Sequence, residues 1–142
     1  MLRAEFPEAG TQSPAELLSA YGSVLAETVD SVGVESVVES IGLDRQTVDG
    51  VADGDVGNVE LGDAAAVLAA DPDRPDAETI QAEAQDILLL GMTTAVLDVE
   101  SLASGIDNDL EPKEIQQKIE GRYPMTLSEY AVLHSYIESR TG

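Results

Sequence analysis

The chain has 142 residues, which is enough for one domain or two very small ones, and 43% of them are hydrophobic, too many for a wholly disordered chain. Seven Lys and Arg against 28 Asp and Glu leave a net charge of −21, which excludes a basic nucleic-acid tail and a polybasic membrane anchor. Cysteine is absent and His134 is the one histidine, which excludes disulfides, thiolate nucleophiles and histidine-cluster metal sites, so we expect no cofactor.

The first half of the chain is predicted to be helical after a short arm. Residues 1–12 lack periodicity and are interpreted as an N-terminal arm. Ser13 and Pro14 suit the N-cap and the first position of a helix. Apolar residues then recur at steps of three and four, which predicts a helix over residues 13–30 that ends before Gly33. Three shorter helices are predicted to follow over residues 34–41, 44–53 and 60–70.

The second half begins with a predicted linker, residues 71–76, which contains two prolines and several acids. Asp76 is a candidate N-cap for a long helix over 76–96. Two-residue alternation is nearly absent, so we do not expect a sheet. Shorter helices are predicted over residues 99–106, 111–120 and 126–139.

Membrane and secretory segments are not expected. The longest apolar runs fall far short of the roughly 20 residues that a spanning helix needs. The start of the chain lacks the apolar core of a signal peptide. We therefore expect a soluble cytoplasmic protein that does not bind membranes.

The two halves resemble each other. Val34-Glu35-Ser36 recurs as Val99-Glu100-Ser101, and apolar and glycine positions continue to match at offsets of 65 to 67, including Leu61 with Leu127. We interpret the protein as all-α, with two diverged four-helix units, residues 13–70 and 77–142, packed in one compact body. Coincidence between two helical sequences of similar composition remains an alternative.

Residues 34–68 resemble the helix-turn-helix of Cro/repressor-type DNA-binding domains. One amphipathic helix ends at Ile41-Gly42, and a second follows a tight turn and has Val48 and Val51 as its apolar pins. The resemblance implies that the first residues of the second helix enter the major groove. The candidate recognition residues are Arg45, Gln46 and Thr47.

Residues 110–130 are similar, but the turn before the second helix is two residues longer. Lys118 occupies the position of Val51, which makes Ile119 the predicted pin. The candidate recognition residues of this copy are Lys113, Gln116, Gln117, Lys118 and Arg122.

The acidity is spread along the chain, as expected of a solvated surface. The whole sequence resembles a family of small acidic haloarchaeal proteins with no assigned function. That resemblance implies a cytoplasm with molar salt, where the Debye length is only about 3 Å. An acidic mesophilic interaction protein remains the alternative.

The function is predicted to be binding without catalysis. Nucleotide-binding glycine motifs and the serine-hydrolase motif are absent, so neither an enzyme nor a small-molecule substrate is expected. Residues 31–70 contain eight acids and one arginine, which opposes phosphate binding. We predict a protein-interaction or dimerisation module, with a regulatory role open. The alternative is a helix-turn-helix transcriptional regulator working at high salt, which one continuous exposed basic strip would favour.

Aromatic residues and a methionine are concentrated near the C-terminus. We interpret them first as core and turn packing, and second as a homodimer patch, because such residues are enriched in interface cores. His134 is interpreted as a core residue. The patch candidates are Tyr123, Met125, Tyr130 and Tyr136.

Overall fold

The computed structural model describes residues 9–106 and 109–141, and within these ranges the chain is helical, without strands. The all-α class is confirmed, and every predicted helix is present with ends within two residues of those predicted. The helices are α1 (Pro14–Val32), α2 (Val34–Ile41), α3 (Arg45–Ala52), α4 (Leu61–Ala69), α5 (Ala77–Ala95), α6 (Val99–Gly105), α7 (Pro112–Ile119) and α8 (Leu127–Thr141).

Side-chain caps explain why the helix starts were predictable. The backbone N–H of Thr47 donates to the Asp44 carboxylate at 2.7 Å, and that of Thr79 donates to Asp76 at 2.8 Å. These caps satisfy N–H groups that the first helical turn leaves unpaired. The same hydrogen bonds hold the pKa of Asp44 and of Asp76 below the usual value, so both residues stay ionised at neutral pH.

The predicted N-terminal arm is wrong for residues 9–12. Ala9–Thr11 forms a 3-10 turn against α8, and Ala9 is buried. The Ser135 hydroxyl donates to the Gln12 carbonyl at 2.6 Å. At Gly10 a Cβ atom would lie 2.8 Å from the Glu138 carbonyl oxygen, so the backbones pack closely there. Residues 1–8 lie outside the described residues.

Buried residues from both halves form one continuous core. α1 packs against α3 and α4 of its own half and against α8 of the other half. In the same way, α5 packs against α7 and α8 of its own half and against α4 of the other half. The segment 71–76 therefore connects two halves that share a hydrophobic interior.

The two halves also meet through the loops before α4 and α8. Glu60 and Thr126 form an isolated antiparallel bridge. The Leu61 N–H donates to the Met125 carbonyl at 2.7 Å, and the Leu127 N–H donates to the Val59 carbonyl at 2.8 Å. Leu61 corresponds to Leu127 in the sequence repeat. Each half therefore donates one of these two hydrogen bonds to the other half from the equivalent position. A local two-fold axis between duplicated halves would give this pattern; the duplication itself remains a prediction.

Three aromatic rings lie together in the interior. Tyr21 and Tyr130 are fully buried and His134 is nearly so, with ring centroids 5.3–6.1 Å apart. The Tyr21 hydroxyl lies 2.6 Å from His134 Nδ1. Burial, followed by the proximity of Tyr130, raises the pKa of Tyr21, so the hydroxyl keeps its proton and can donate to the ring nitrogen. The predicted core position of His134 is confirmed.

Removing the Tyr21 hydroxyl should therefore destabilise the protein. Tyr21→Phe keeps the ring but takes this partner from the buried Nδ1 atom, which should lower the free energy of unfolding by about 1–3 kcal/mol. Denaturant unfolding at constant salt measures the change. The half-buried Tyr136 is a matched control, and Tyr136→Phe should change the free energy by less than about 0.5 kcal/mol. Equal effects at the two positions would contradict the role given to the Tyr21 hydroxyl.

Candidate functional site

The first set of predicted recognition residues lies at the start of α3. Arg45 and Gln46 are exposed, whereas Thr47 is partly buried. The Arg45 guanidinium forms an ion pair with Glu35 of α2, and this contact raises the pKa of Arg45. The predicted pins Val48 and Val51 are fully buried, as expected. Because Asp44 is ionised beside Arg45, the start of α3 presents carboxylates around its one cation.

The second set is divided between α7 and the turn that follows it. Lys113 and Gln116 are exposed, and Gln117 is partly buried. Ile119 is 2% exposed, which confirms the predicted pin. The Arg122 guanidinium lies 3.9 Å from the Glu120 carboxylate.

Lys118 forms the most buried ion pair among the described residues, with Glu129 of α8. Only 18% of the Lys118 side chain and 17% of the Glu129 side chain are exposed. Burial raises the pKa of Glu129, but hydrogen bonds from Lys118 and from Thr126 outweigh burial, so the pKa lies below its usual value. The same carboxylate forms a capping box with Thr126 at the start of α8. The ion pair between Lys118 and Glu129 thus connects α7 with α8.

A surface cleft brings several of the predicted residues together. It has a volume of about 330 Å³ and lies between the start of α4, one side of α5 and the turn between α7 and α8. Lys118, Arg122, Tyr123 and Met125 line it, together with Gln81 and Gln85 of α5. Gln46 and Thr47 line a different depression. Of the candidate recognition residues, Lys118 and Arg122 therefore line one depression and Gln46 and Thr47 another, and Glu60 lines both.

The four residues of the predicted homodimer patch do not form a surface patch. Met125 is 3% exposed, and Tyr130 is fully buried and donates to the Ala84 carbonyl at 2.9 Å. Tyr136 is half-buried beneath the Arg140 guanidinium, which leaves Tyr123 as the exposed member. The homodimer patch is wrong because Tyr130, on the buried side of α8, and Met125, which precedes α8, both pack into the core. The first interpretation, core packing, is confirmed for Met125 and Tyr130.

The most apolar exposed surface among the described residues lies at the C-terminal end of α5. Residues 87–97 contain no charged side chain. Ile87, Leu88 and Gly91 face the core, which directs Leu89 and Leu90 outward. Leu89 is 43% exposed, Leu90 62% and Val96 89%. We call the exposed side chains of Leu89, Leu90, Thr93 and Val96 the α5 face.

Helix α1 shows what a solvated helix looks like at the same positions. Both α1 and α5 have 19 residues and a C-cap with positive φ, Gly33 and Val96. Counted from the helix starts, Leu90 corresponds to Glu27 and Thr93 to Asp30, and both acids are exposed. The acidic surface of α1 is thus replaced on α5 by apolar and uncharged side chains.

Val96 adopts a backbone conformation that β-branched residues rarely take. Its φ of 56° and ψ of 51° are left-handed, whereas Gly33 is free of this penalty. The reversal lets the Leu97 N–H donate to the Met92 carbonyl at 2.8 Å and turns Leu97 toward the core. The left-handed conformation costs about 1–2 kcal/mol. Because the Val96 side chain is 89% exposed, its packing offsets little of this free-energy cost.

Val96→Gly should therefore stabilise the folded chain. Glycine takes the left-handed conformation without the Cβ clash, which should raise the free energy of unfolding by about 1 kcal/mol. Thermal unfolding at constant salt measures the effect. Val96→Ala keeps the Cβ atom and serves as the control, so it should raise the free energy of unfolding by less than Val96→Gly does. A loss of stability in the glycine variant would show that the valine side chain contributes more to packing than its exposure implies.

The family of the chain follows from a comparison of sequences. The profile of a family of unknown function, DUF5791, matches residues 17–140. The chain belongs to this family. The match spans all eight helices, from the first buried turn of α1 to the end of α8. No curated protein and no solved structure gives a significant match.

Two further properties of this family member concern membranes and metals. No single helix in the described ranges combines the length and apolar composition needed to cross a membrane; α5 and α6 reach them only as a pair bent by 92°. Residues 9–106 and 109–141 contain no group of three or more His, Cys, Asp or Glu side chains placed to hold a metal ion.

Sequence reasoning missed the α5 face in this family member. Helical spacing within residues 76–96 places Ile87, Leu88 and Gly91 on one side of the helix, which leaves Leu89 and Leu90 on the other. The signal was the uncharged run itself, in a chain where acids outnumber basic residues four to one. An apolar run in a sequence is interpreted as part of the core until the helix register shows which of its side chains are exposed.

Proposed function

We propose that this protein is a non-catalytic protein-interaction module whose contact surface is the α5 face. The observation that supports this most strongly is the exposure of Leu89, Leu90 and Val96 on a segment without charge, in a chain of net charge −21. Exposed apolar surface bordered by polar residues is typical of contacts with other proteins. The strained Val96 supports the same function, because local strain is retained where a surface has a use.

A binding role without catalysis fits the ionisable groups of the described residues. Catalytic sites bring together side chains with displaced pKa values in a cleft. Here the lowered carboxylate pKa values belong to helix caps, such as Asp76 and Asp98, and to Glu129 in its ion pair with Lys118. The pKa of Tyr21 is also displaced, but Tyr21 lies in the core. Each displacement has a structural cause.

The chain's own carboxylates weaken the case for DNA binding. Arg45, Lys118 and Arg122 each lie beside a glutamate, so binding to phosphate would have to break an existing ion pair. Lys113 is exposed, but it lies on α7, whereas Arg45 lies on α3. The described ion pairs therefore favour a protein partner over DNA.

We further propose a cytoplasm of molar salt as the working environment. Four ion pairs join described residues, and seven basic residues cannot neutralise 28 acids. Concentrated salt screens the remaining repulsion.

Site-specific photo-cross-linking in living cells tests the interaction function. A photoreactive amino acid replaces Leu90 in one strain and Glu27, the corresponding α1 position, in another. We expect a covalent protein adduct from position 90 and none from position 27, because only the α5 face is proposed to be covered. Equal yields at the two positions, or no adduct at either, would overturn the proposal. A nucleic-acid adduct at position 90 would also overturn it, because the α5 face would then contact nucleic acid and not a protein.

A further inference from the structure

We propose that the partner at the α5 face is a second copy of this chain, joined by a two-fold contact of α5 on α5. This rests on the proposed function, since it names the occupant of the same surface. Two molecules of net charge −21 repel each other, and contact through most of the described surface would require carboxylates to lose water or to face one another.

A contact through the α5 face avoids this repulsion between carboxylates. In a two-fold contact the same patch meets itself, so the uncharged segment 87–97 of one copy faces the uncharged segment of the other. A basic partner would instead select the acidic side chains that are exposed elsewhere on the described residues. The neutral character of the face thus matches another neutral face better than a positively charged protein.

The shape of the face also suits a helix pair. Leu89 and Thr93 are four residues apart, which aligns them along one side of α5, and the exposed Val96 follows at the C-cap. The exposed Thr93 and Thr94 are small enough for two helix backbones to approach. Leu90 lies beside this line and would pack against its partner near the axis.

The ends of the face determine how the contact responds to salt. Asp86 precedes the uncharged segment, and Asp98 and Glu100 follow it; all three are exposed. In a two-fold contact these carboxylates would form the rim and repel across it. We therefore expect association to strengthen as the KCl concentration rises, whereas a complex held by opposite charges would weaken. The face is small, so the dimer should dissociate on dilution.

Light scattering on purified protein, at several concentrations in molar KCl, measures this association. The monomer mass is 14.9 kDa, and the wild-type mass should rise toward twice that value with concentration and with salt. Leu90→Glu places two carboxylates against each other and should weaken association at least about tenfold. Ser36→Glu adds the same charge on the exposed side of α2 and should leave association unchanged. Circular dichroism checks that both variants fold.

Single cysteines provide a second measurement, because the natural chain has none. Oxidised Thr93→Cys should form a disulfide-linked dimer, and oxidised Ser36→Cys should not. A wild type that stays monomeric at every concentration and salt, or a Leu90→Glu variant that associates like the wild type, would overturn the second-copy proposal. If the wild type is monomeric but the cross-linker at position 90 captures a different polypeptide in cells, the second-copy proposal fails and the interaction function stands. If no adduct forms at position 90 in cells, the interaction function fails as well.

Discussion

Lowering KCl from about 2 M to about 50 mM is expected to abolish most of the helical circular dichroism of the protein. The Debye length grows from less than about 3 Å to more than about 10 Å over this range, so repulsion among 28 acids becomes long-ranged. Each of the four described ion pairs neutralises only one acid. The hydrophobic contribution also weakens without concentrated salt, although chloride is a modest salting-out ion.

A charge-reduced variant separates screening from other effects of salt. Asp30→Asn, Glu39→Gln and Glu83→Gln alter three exposed acids without removing a helix cap. The triple variant should unfold at a lower KCl concentration than the wild type. Full ellipticity of the wild type at about 50 mM KCl would contradict the molar-salt proposal.

Tyr130→Ala should strongly lower the stability of the protein. Tyr130 is fully buried, its ring packs against Tyr21 and His134, and its hydroxyl bonds to the Ala84 carbonyl. Truncation should lower the free energy of unfolding by about 3–5 kcal/mol, because the cavity between α1, α5 and α8 cannot collapse fully. Tyr130→Phe should cost only about 1 kcal/mol.

Denaturant unfolding at constant molar KCl measures these changes. Tyr123→Ala is the control, because Tyr123 is 57% exposed and its loss should change stability by less than about 0.5 kcal/mol. A Tyr130→Ala variant with wild-type stability and impaired self-association would restore the original patch interpretation.

The helices were predictable because their boundaries depend on local chemistry. Ser13, Asp44 and Asp76 accept backbone hydrogen bonds within the first turn of their helices, and Gly42 takes the left-handed conformation at the end of α2. The pins Val48 and Ile119 were predictable for a related reason, since helical spacing identifies the buried side.

The candidate site was less predictable, because it depends on which helix covers which. Met125 and Tyr130 looked like interface residues by type, but α8 lies between α1 and α5, and their side chains enter the core. Arg45 and Lys118 looked like recognition residues for the major groove, but Glu35 and Glu129 reach them from other helices. The spacing of residues along one helix does not show which side chains of other helices lie next to them.

Covalent footprinting is the measurement that most directly tests whether the α5 face is a contact surface. Labelling of Leu89, Leu90 and Val96 is compared between dilute purified protein and the protein in intact cells, with the exposed Tyr123 as an internal reference. We predict that the three α5 side chains lose reactivity in cells while Tyr123 keeps it. Unchanged labelling of the α5 face, or protection of Tyr123 in its place, would contradict the proposed contact surface.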